Sequence, residues 1–214
     1  MNFDILMEVS GLTFDVSTLM KVAGESNDLA SCLTAHLAIE RFLEAWICAH
    51  TGIEDLFQKI SNDKTKVHFG MNFMNKAKLA QRMGLPKLAY EAIDQLNLIR
   101  NNFAHRHNYQ GATNDEMKRI IAIVDKMNQY GFTKLGDPQY KLMLNFEGRE
   151  VTYHLNSPDC PHRVRYMAIT YGILIRCLQF AINEIKLSFN YKRDYRQDEI
   201  LVINGGYNYS YNHN

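Results

Sequence analysis

At 214 residues the chain is long enough for one sizeable domain, or for a domain with an appendage. Its 46% hydrophobic and 22% charged residues are those of an ordinary globular protein. A formal net charge of +1 excludes a global pull towards nucleic acid, so any RNA contact must come from a local patch. The first residues, MNFDILMEVS, carry Asp4 and Glu8 where a signal peptide would be positive. The most apolar run, Met167 to Ile175, is short and followed by Arg176, too little for a membrane span. Cys32, Cys48, Cys160 and Cys177 show no metal-ligand spacing, and reduced, buried thiols in a cytoplasmic protein are expected.

Residues 1 to 28 read as an N-terminal arm. Phe3, Ile5 and Leu6 with Leu12, Phe14 and Val16 suit a short strand pair, or a segment lying across a neighbour. Ser26, Asn27 and Asp28 offer N-cap oxygens for a helix from Leu29 to His50, which Gly52 ends. Leu33, Leu37, Leu43 and Ile47 make one apolar stripe on it, and Ile39, Phe42 and Trp46 a second. Glu40 lies three residues from both Leu37 and Leu43, so it projects from an apolar face. A carboxylate there needs a partner or a path to water. Arg100 is the candidate partner, and a place at the stripe's margin is the alternative. Glu40, Glu44 and His36 share a face, but no Glu-x-x-His elsewhere completes a metal cage, so no metal or cofactor is expected.

Residues 53 to 70 suit a loop or short helix. A helix from Asn72 to Met83 follows, with Gly84 as its left-handed terminator and Pro86 opening the next helix. That helix is amphipathic through Leu88, Ile93, Leu96, Ile99 and Phe103, and closes on Arg100, Asn101, Asn102, His105, Arg106 and His107. Asn101 and His105, four apart, share a face; Arg100 and His105 diverge by roughly 140°. Thr113 or Asn114 caps a helix carrying Met117, Ile120, Ile121, Val124 and Met127, which Gly131 stops. Within residues 132 to 157, period-two alternation around Glu147-Gly148 predicts a β-hairpin at about 138 to 156, an insertion into a helical domain. The longest helix starts after Asp159 and Pro161 and runs to about Asn190, with Val164, Met167, Tyr171, Leu174, Leu178, Ile182 and Ile185 as its stripe. One domain over residues 1 to 192 is expected, then a C-terminal extension, 193 to 214, whose Tyr/Asn-rich end suits a mobile tail.

Arg100-Asn101-x-x-x-His105, placed after a short helix and a Gly-Leu turn, resembles the signature of the HEPN superfamily. KAKLAQRMGLPK from Lys76, followed by LNLIRNNFAHR, is similar to its mannitol-repressor-like branch; the likeness runs from about Leu29 to Asn128. The resemblance implies a mainly all-α bundle that dimerises through the motif helices. Many members of that superfamily are metal-independent endoribonucleases, often toxins or antiviral-defence effectors. Others are catalytically silent regulatory modules that hold a protein partner. The residue types suit the first. Histidine titrates near neutrality and serves as acid or base, and arginine's planar fork matches a phosphate. Catalysis is thus expected from Arg100, His105 and Asn101, with Glu40 orienting Arg100 and with Arg106 and His107 adding positive potential. RNA is the expected substrate, a homodimer the expected assembly, and an antitoxin or regulatory protein a further partner; no membrane is called for. The structural alternative is that Arg100 only locks two helices while Asn101 and His105 cap a helix end. Toxins of this superfamily silenced by a nucleotidyltransferase usually continue His-x-Tyr. His107 stands at that position here, which argues against such control, although Tyr109 is close.

Overall fold

The structure, a computed structural model, describes residues 1–11, 20, 22–24, 27–57, 70–106, 108–127, 131–146 and 149–188. Its elements are α1 (Phe3–Gly11), α2 (Asp28–Thr51), α3 (Phe73–Arg82), α4 (Lys87–His105), α5 (Asn114–Lys126), β1 (Lys141–Phe146), β2 (Arg149–His154) and α6 (His162–Ser188). The chain is mainly helical, with one small antiparallel two-stranded sheet.

Phe3 to Gly11 is a helix, where alternation suggested a strand or an extended arm. Asn2 explains it: its side-chain oxygen accepts from the N–H groups of Asp4 (3.1 Å) and Ile5 (3.4 Å). Leu6 and Ser10, one helical turn apart, are then buried as α1 packs on α2. Leu12, Phe14 and Val16, the other half of the expected strand pair, lie outside the described residues.

Polar caps set most of the remaining boundaries. Asn27 accepts from the Leu29 N–H at 2.7 Å to open α2, and Gly52, at φ 72°, closes it by donating to the Cys48 carbonyl. Asn72 caps α3 through the Asn75 N–H at 2.9 Å, and Pro86 precedes α4. Thr113 and Glu116 form a reciprocal capping box at the start of α5. That helix ends at Lys126 rather than running to Gly131. Ending there leaves the Asp125 carboxylate to accept the N–H groups of Leu135 and Gly136, each at 2.7 Å. The hairpin pairs Leu142 with Tyr153 and Leu144 with Val151. Leu144 is buried and Met143, on the other face, is exposed, as period two requires. Residues 147–148, at the expected turn, and 193–214, the expected tail, lie outside the described residues.

The core has one centre. Ile39, Phe42 and Trp46 of α2 are buried with Ile93 and Leu96 of α4, Met117 and Ile120 of α5, and Val164, Ile169 and Leu174 of α6. Leu33 and Leu37 do not join it: they are 40% and 56% exposed. On an ideal helix they lie about 120° or more around from Ile39 and Phe42, so one core cannot cover both stripes. Ile47 and Leu43 fall on the covered side.

Contacts also fix direction. His36 of α2 meets Asn97 of α4, and Leu29 lines a cleft with Phe103 and Arg106, so α2 and α4 run antiparallel. His162 meets Asp28 and Asn114, which sets the first residues of α2, α5 and α6 together at one end of the bundle. The C-terminus of α4 arrives at that same end. Arg165, buried, ties α6 to the start of α5 and to the segment after β2 by donating to the carbonyls of Leu155 (3.0 Å) and Ser157 (2.5 Å) and to Asn114. Sequence reading gave Arg165 no role; a lone arginine between Val164 and Tyr166 on a buried helix was the available signal.

Candidate functional site

The last two turns of α4 carry the polar cluster. Small Ala89 and Ala92, both buried, let the helix seat closely, and Leu96 and Ile99 anchor it to the core. This leaves the side chains from Asn101 onwards at the surface or half-buried. Arg100 is half-buried, and its Nη1 donates to the Asn101 side-chain oxygen at 3.2 Å. Asn97, one turn earlier, meets His36 at 3.4 Å. His36 in turn stacks on Phe73 of α3, with ring centres 3.7 Å apart. Asn97, His36 and Phe73 thus form a packed layer between α4, α2 and α3.

His105 is the last residue of α4, and its imidazole is exposed. Among the described residues none hydrogen-bonds its ring. Arg106 follows, exposed, its N–H donating to the Asn102 carbonyl at 3.0 Å. His107 lies outside the described residues. Phe103 meets Tyr109 edge to face at 4.8 Å, which folds the chain back after the helix. A polar cleft of about 670 Å³ opens there between Asn27, Asp28 and Leu29 on one side and Phe103, Ala104, Arg106, Tyr109 and Gln110 on the other.

Within one chain, then, Arg100 and His105 point apart. Asn101 lies between them and shares a face with His105, as their spacing of four requires. Four leucines of these two helices are exposed: Leu29 (37%), Leu33 (40%) and Leu37 (56%) on α2, and Leu98 (48%) on α4.

Glu40 is not the partner of Arg100. Lys76 of α3 donates to Glu40 and to Glu44, both at 2.6 Å, under the ring of Phe57. The lysine side chain is 8% exposed and each carboxylate 26%. Lys76 follows Phe73 by three residues and precedes Ala80 by four, so it sits on the buried face of α3 and must find an anion. That reasoning was open to the sequence, but partner choice depends on which helices meet, and α3 reaches Glu40 first. Burial works to lower the Lys76 pKa, yet the two carboxylates outweigh it and hold it above the ordinary lysine value. Glu40 thus serves the α2–α3 contact, and Arg100 hydrogen-bonds to Asn101 on its own helix.

Burial also sets the state of His36. Desolvation holds it below the ordinary histidine value, against the Asn97 contact, and the Arg100 charge pushes the same way. His50, stacked on Trp46, is held low as well, again chiefly by burial. Both rings accept protons more readily in the unfolded chain than in the folded one. The stability they contribute is present above pH ~6.5 and is lost as pH falls through their depressed folded values. The melting temperature should therefore drop as pH is lowered from 7 to 5, and His36→Gln should flatten that drop. An unchanged slope in the variant would remove His36 from the account.

All four cysteines are free and buried, with burial pushing Cys32 up to about 12. Among the described residues no group of three His, Cys, Asp or Glu side chains is placed to hold a metal ion. No described helix is long and apolar enough to cross a membrane. Comparison with family models, with curated proteins and with solved structures finds no match to this chain.

Proposed function

We propose that the chain is a HEPN-type endoribonuclease of the toxin or defence class, resembling the mannitol-repressor-like branch, which cuts RNA by attack of the substrate's own 2′-hydroxyl. The observation that supports this reading best is the exposed His105 on a face shared with Asn101. An imidazole at the surface is accessible to substrate. In this reading His105 removes the 2′-hydroxyl proton as the 2′-oxygen bonds to the adjacent phosphorus. A second His105, from another copy, protonates the 5′-oxygen as its bond to phosphorus breaks. The products are a 2′,3′-cyclic phosphate and a free 5′-hydroxyl, with no outside nucleophile consumed. Arg100 and Arg106 supply positive charge to the phosphate oxygens, and Asn101 positions Arg100 through their hydrogen bond.

The divergence of Arg100 and His105 on α4 makes one chain half a site, which is why this reading calls for a homodimer through the motif helices. The same divergence favours a second reading, in which the chain is a catalytically silent HEPN regulator that holds a protein partner. The two separate in one experiment. Purified protein is incubated with mixed single-stranded RNA and DNA in EDTA, and expressed in cells. The ribonuclease cuts RNA alone and slows growth. The silent module does neither.

Arg100→Ala adds a further discrimination. With Lys76 rather than Arg100 holding Glu40, the substitution strands no carboxylate. Its effect on stability should stay within ~1 kcal/mol, while cleavage should fall by ~10² or more. A large loss of melting temperature would instead make Arg100 a structural residue.

A further inference from the structure

We infer that the cleft beside His105 is a guanine-reading subsite. Asn27 and Asp28, at the start of α2, take the Watson–Crick edge of the base, and Arg106 takes its phosphate. The inference deepens the ribonuclease reading and rests on it only for where RNA is cut, not for the binding itself. The cleft, of about 670 Å³, has the size of a small-molecule site. Ala104 and Arg106, which line it, flank His105 in the chain.

Mixed charge sets the class of occupant. Arg106, exposed, offers a cation, and Asp28, its side chain 35% exposed, offers a carboxylate. Asp28 would repel a bare phosphate, and Arg106 would repel a simple cation. The ligand must therefore carry an anion at one end and hydrogen-bond donors at the other. Phe103 and Tyr109, edge to face at 4.8 Å, give the cleft an aromatic wall. The Tyr109 hydroxyl is buried, so what that residue shows the cleft is its ring. A flat ring packs against such a wall. A nucleotide joins all three features: a flat ring, an edge of donors and a phosphate.

The order of donors and acceptors chooses among the four bases. Asn27 commits its side-chain oxygen to the Leu29 N–H at 2.7 Å, which leaves its amide NH2 as a donor. Asp28 follows with two acceptor oxygens, one of them 3.4 Å from His162 Nδ1 of α6. The pair thus sets one donor beside two acceptors. Guanine alone carries the complement, its O6 acceptor beside the N1–H and N2–H2 donors. Adenine, cytosine and uracil each place an acceptor against one of the carboxylate oxygens, an unpaired contact that costs affinity. With Arg106 next to His105 in the chain, the recognised guanosine lies beside the bond that is cut.

Calorimetric titration of the wild-type chain with the four nucleoside 3′-monophosphates tests the subsite without any cleavage. Guanosine 3′-monophosphate should bind about 10-fold tighter than the other three, or more, the scale of a bidentate base contact. Inosine 3′-monophosphate lacks the N2 amino group and should bind about 10-fold more weakly than guanosine, as a lost hydrogen bond to a carboxylate requires. Asp28→Asn should erase the lead of guanosine. Arg106→Gln should weaken all four and leave guanosine ahead, because a phosphate contact does not read the base. Equal binding of the four by the wild type, no binding at millimolar concentration, or a lead that survives Asp28→Asn would overturn the subsite. On uridine oligoribonucleotides carrying one guanosine, cutting should concentrate next to the guanosine. A chain that cuts at every position alike and does not select guanosine keeps the ribonuclease reading and overturns the subsite. A chain that selects guanosine 3′-monophosphate and cuts no RNA does the reverse.

Discussion

His105→Ala is expected to slow RNA cleavage by ~10²–10⁴ while leaving the fold and the dimer intact. The imidazole is exposed and no described residue hydrogen-bonds it, so its loss opens no cavity and strands no buried group. Activity and stability should therefore separate cleanly in this variant. In the dimeric reading one histidine acts as base and its copy as acid, so the substitution removes both at once. Mixed dimers of wild-type and His105→Ala chains should fall far below half the wild-type rate, which a one-histidine mechanism would not produce. Initial rates on a labelled oligoribonucleotide, beside thermal melts of the same samples, check both statements. Cleavage that persists in the variant would take His105 out of the chemistry.

The second large effect is structural. Lys76→Met should destabilise the chain by about 2–4 kcal/mol, somewhat below the cost of breaking a fully buried pair because Glu40 and Glu44 keep some contact with water. The loss comes from two carboxylates left facing each other on one helix with no cation between them. Lys76→Met combined with Glu40→Gln and Glu44→Gln should recover most of the stability, so the effects should be strongly non-additive. Denaturant unfolding of the single and combined variants measures this. Additive losses would mean that the triad is only a surface ion pair.

Much of the architecture was legible because it rests on local chemistry. Asn27, Asn72 and Thr113 are cap residues, Gly52 and Gly84 are left-handed terminators, and each does its work within a few residues of itself. The hairpin was legible for the same reason: alternation through Leu142, Leu144, Val151 and Tyr153 depends only on the pleat. The N-terminal helix was missed because Phe3, Ile5 and Leu6 suit either period, and the cap on Asn2 decided it.

What the sequence withheld is tertiary. Periodicity reveals that Leu33 and Leu37 form a stripe, but it does not distinguish a face turned to this chain's core from one turned to another molecule. Glu40 on an apolar face announced that it needed a cation. Whether Arg100 or Lys76 supplies it depends on how α3 and α4 dock on α2. Divergence of Arg100 and His105 along one helix was readable from spacing alone. The layer of His36, Asn97 and Phe73 was not, because its members come from three helices.

One measurement bears most directly on the central claim, that the substrate's own 2′-hydroxyl is the nucleophile and His105 takes its proton. The substrate is a single-stranded DNA oligonucleotide with one ribonucleotide at its centre, incubated with the purified chain in EDTA. The account predicts one cut, on the 3′ side of the ribonucleotide, leaving a 2′,3′-cyclic phosphate and a 5′-hydroxyl, and no cut with His105→Ala. Cleavage at deoxynucleotides, ends bearing a 5′-phosphate, or cutting that appears only when Mg²⁺ is restored would contradict it.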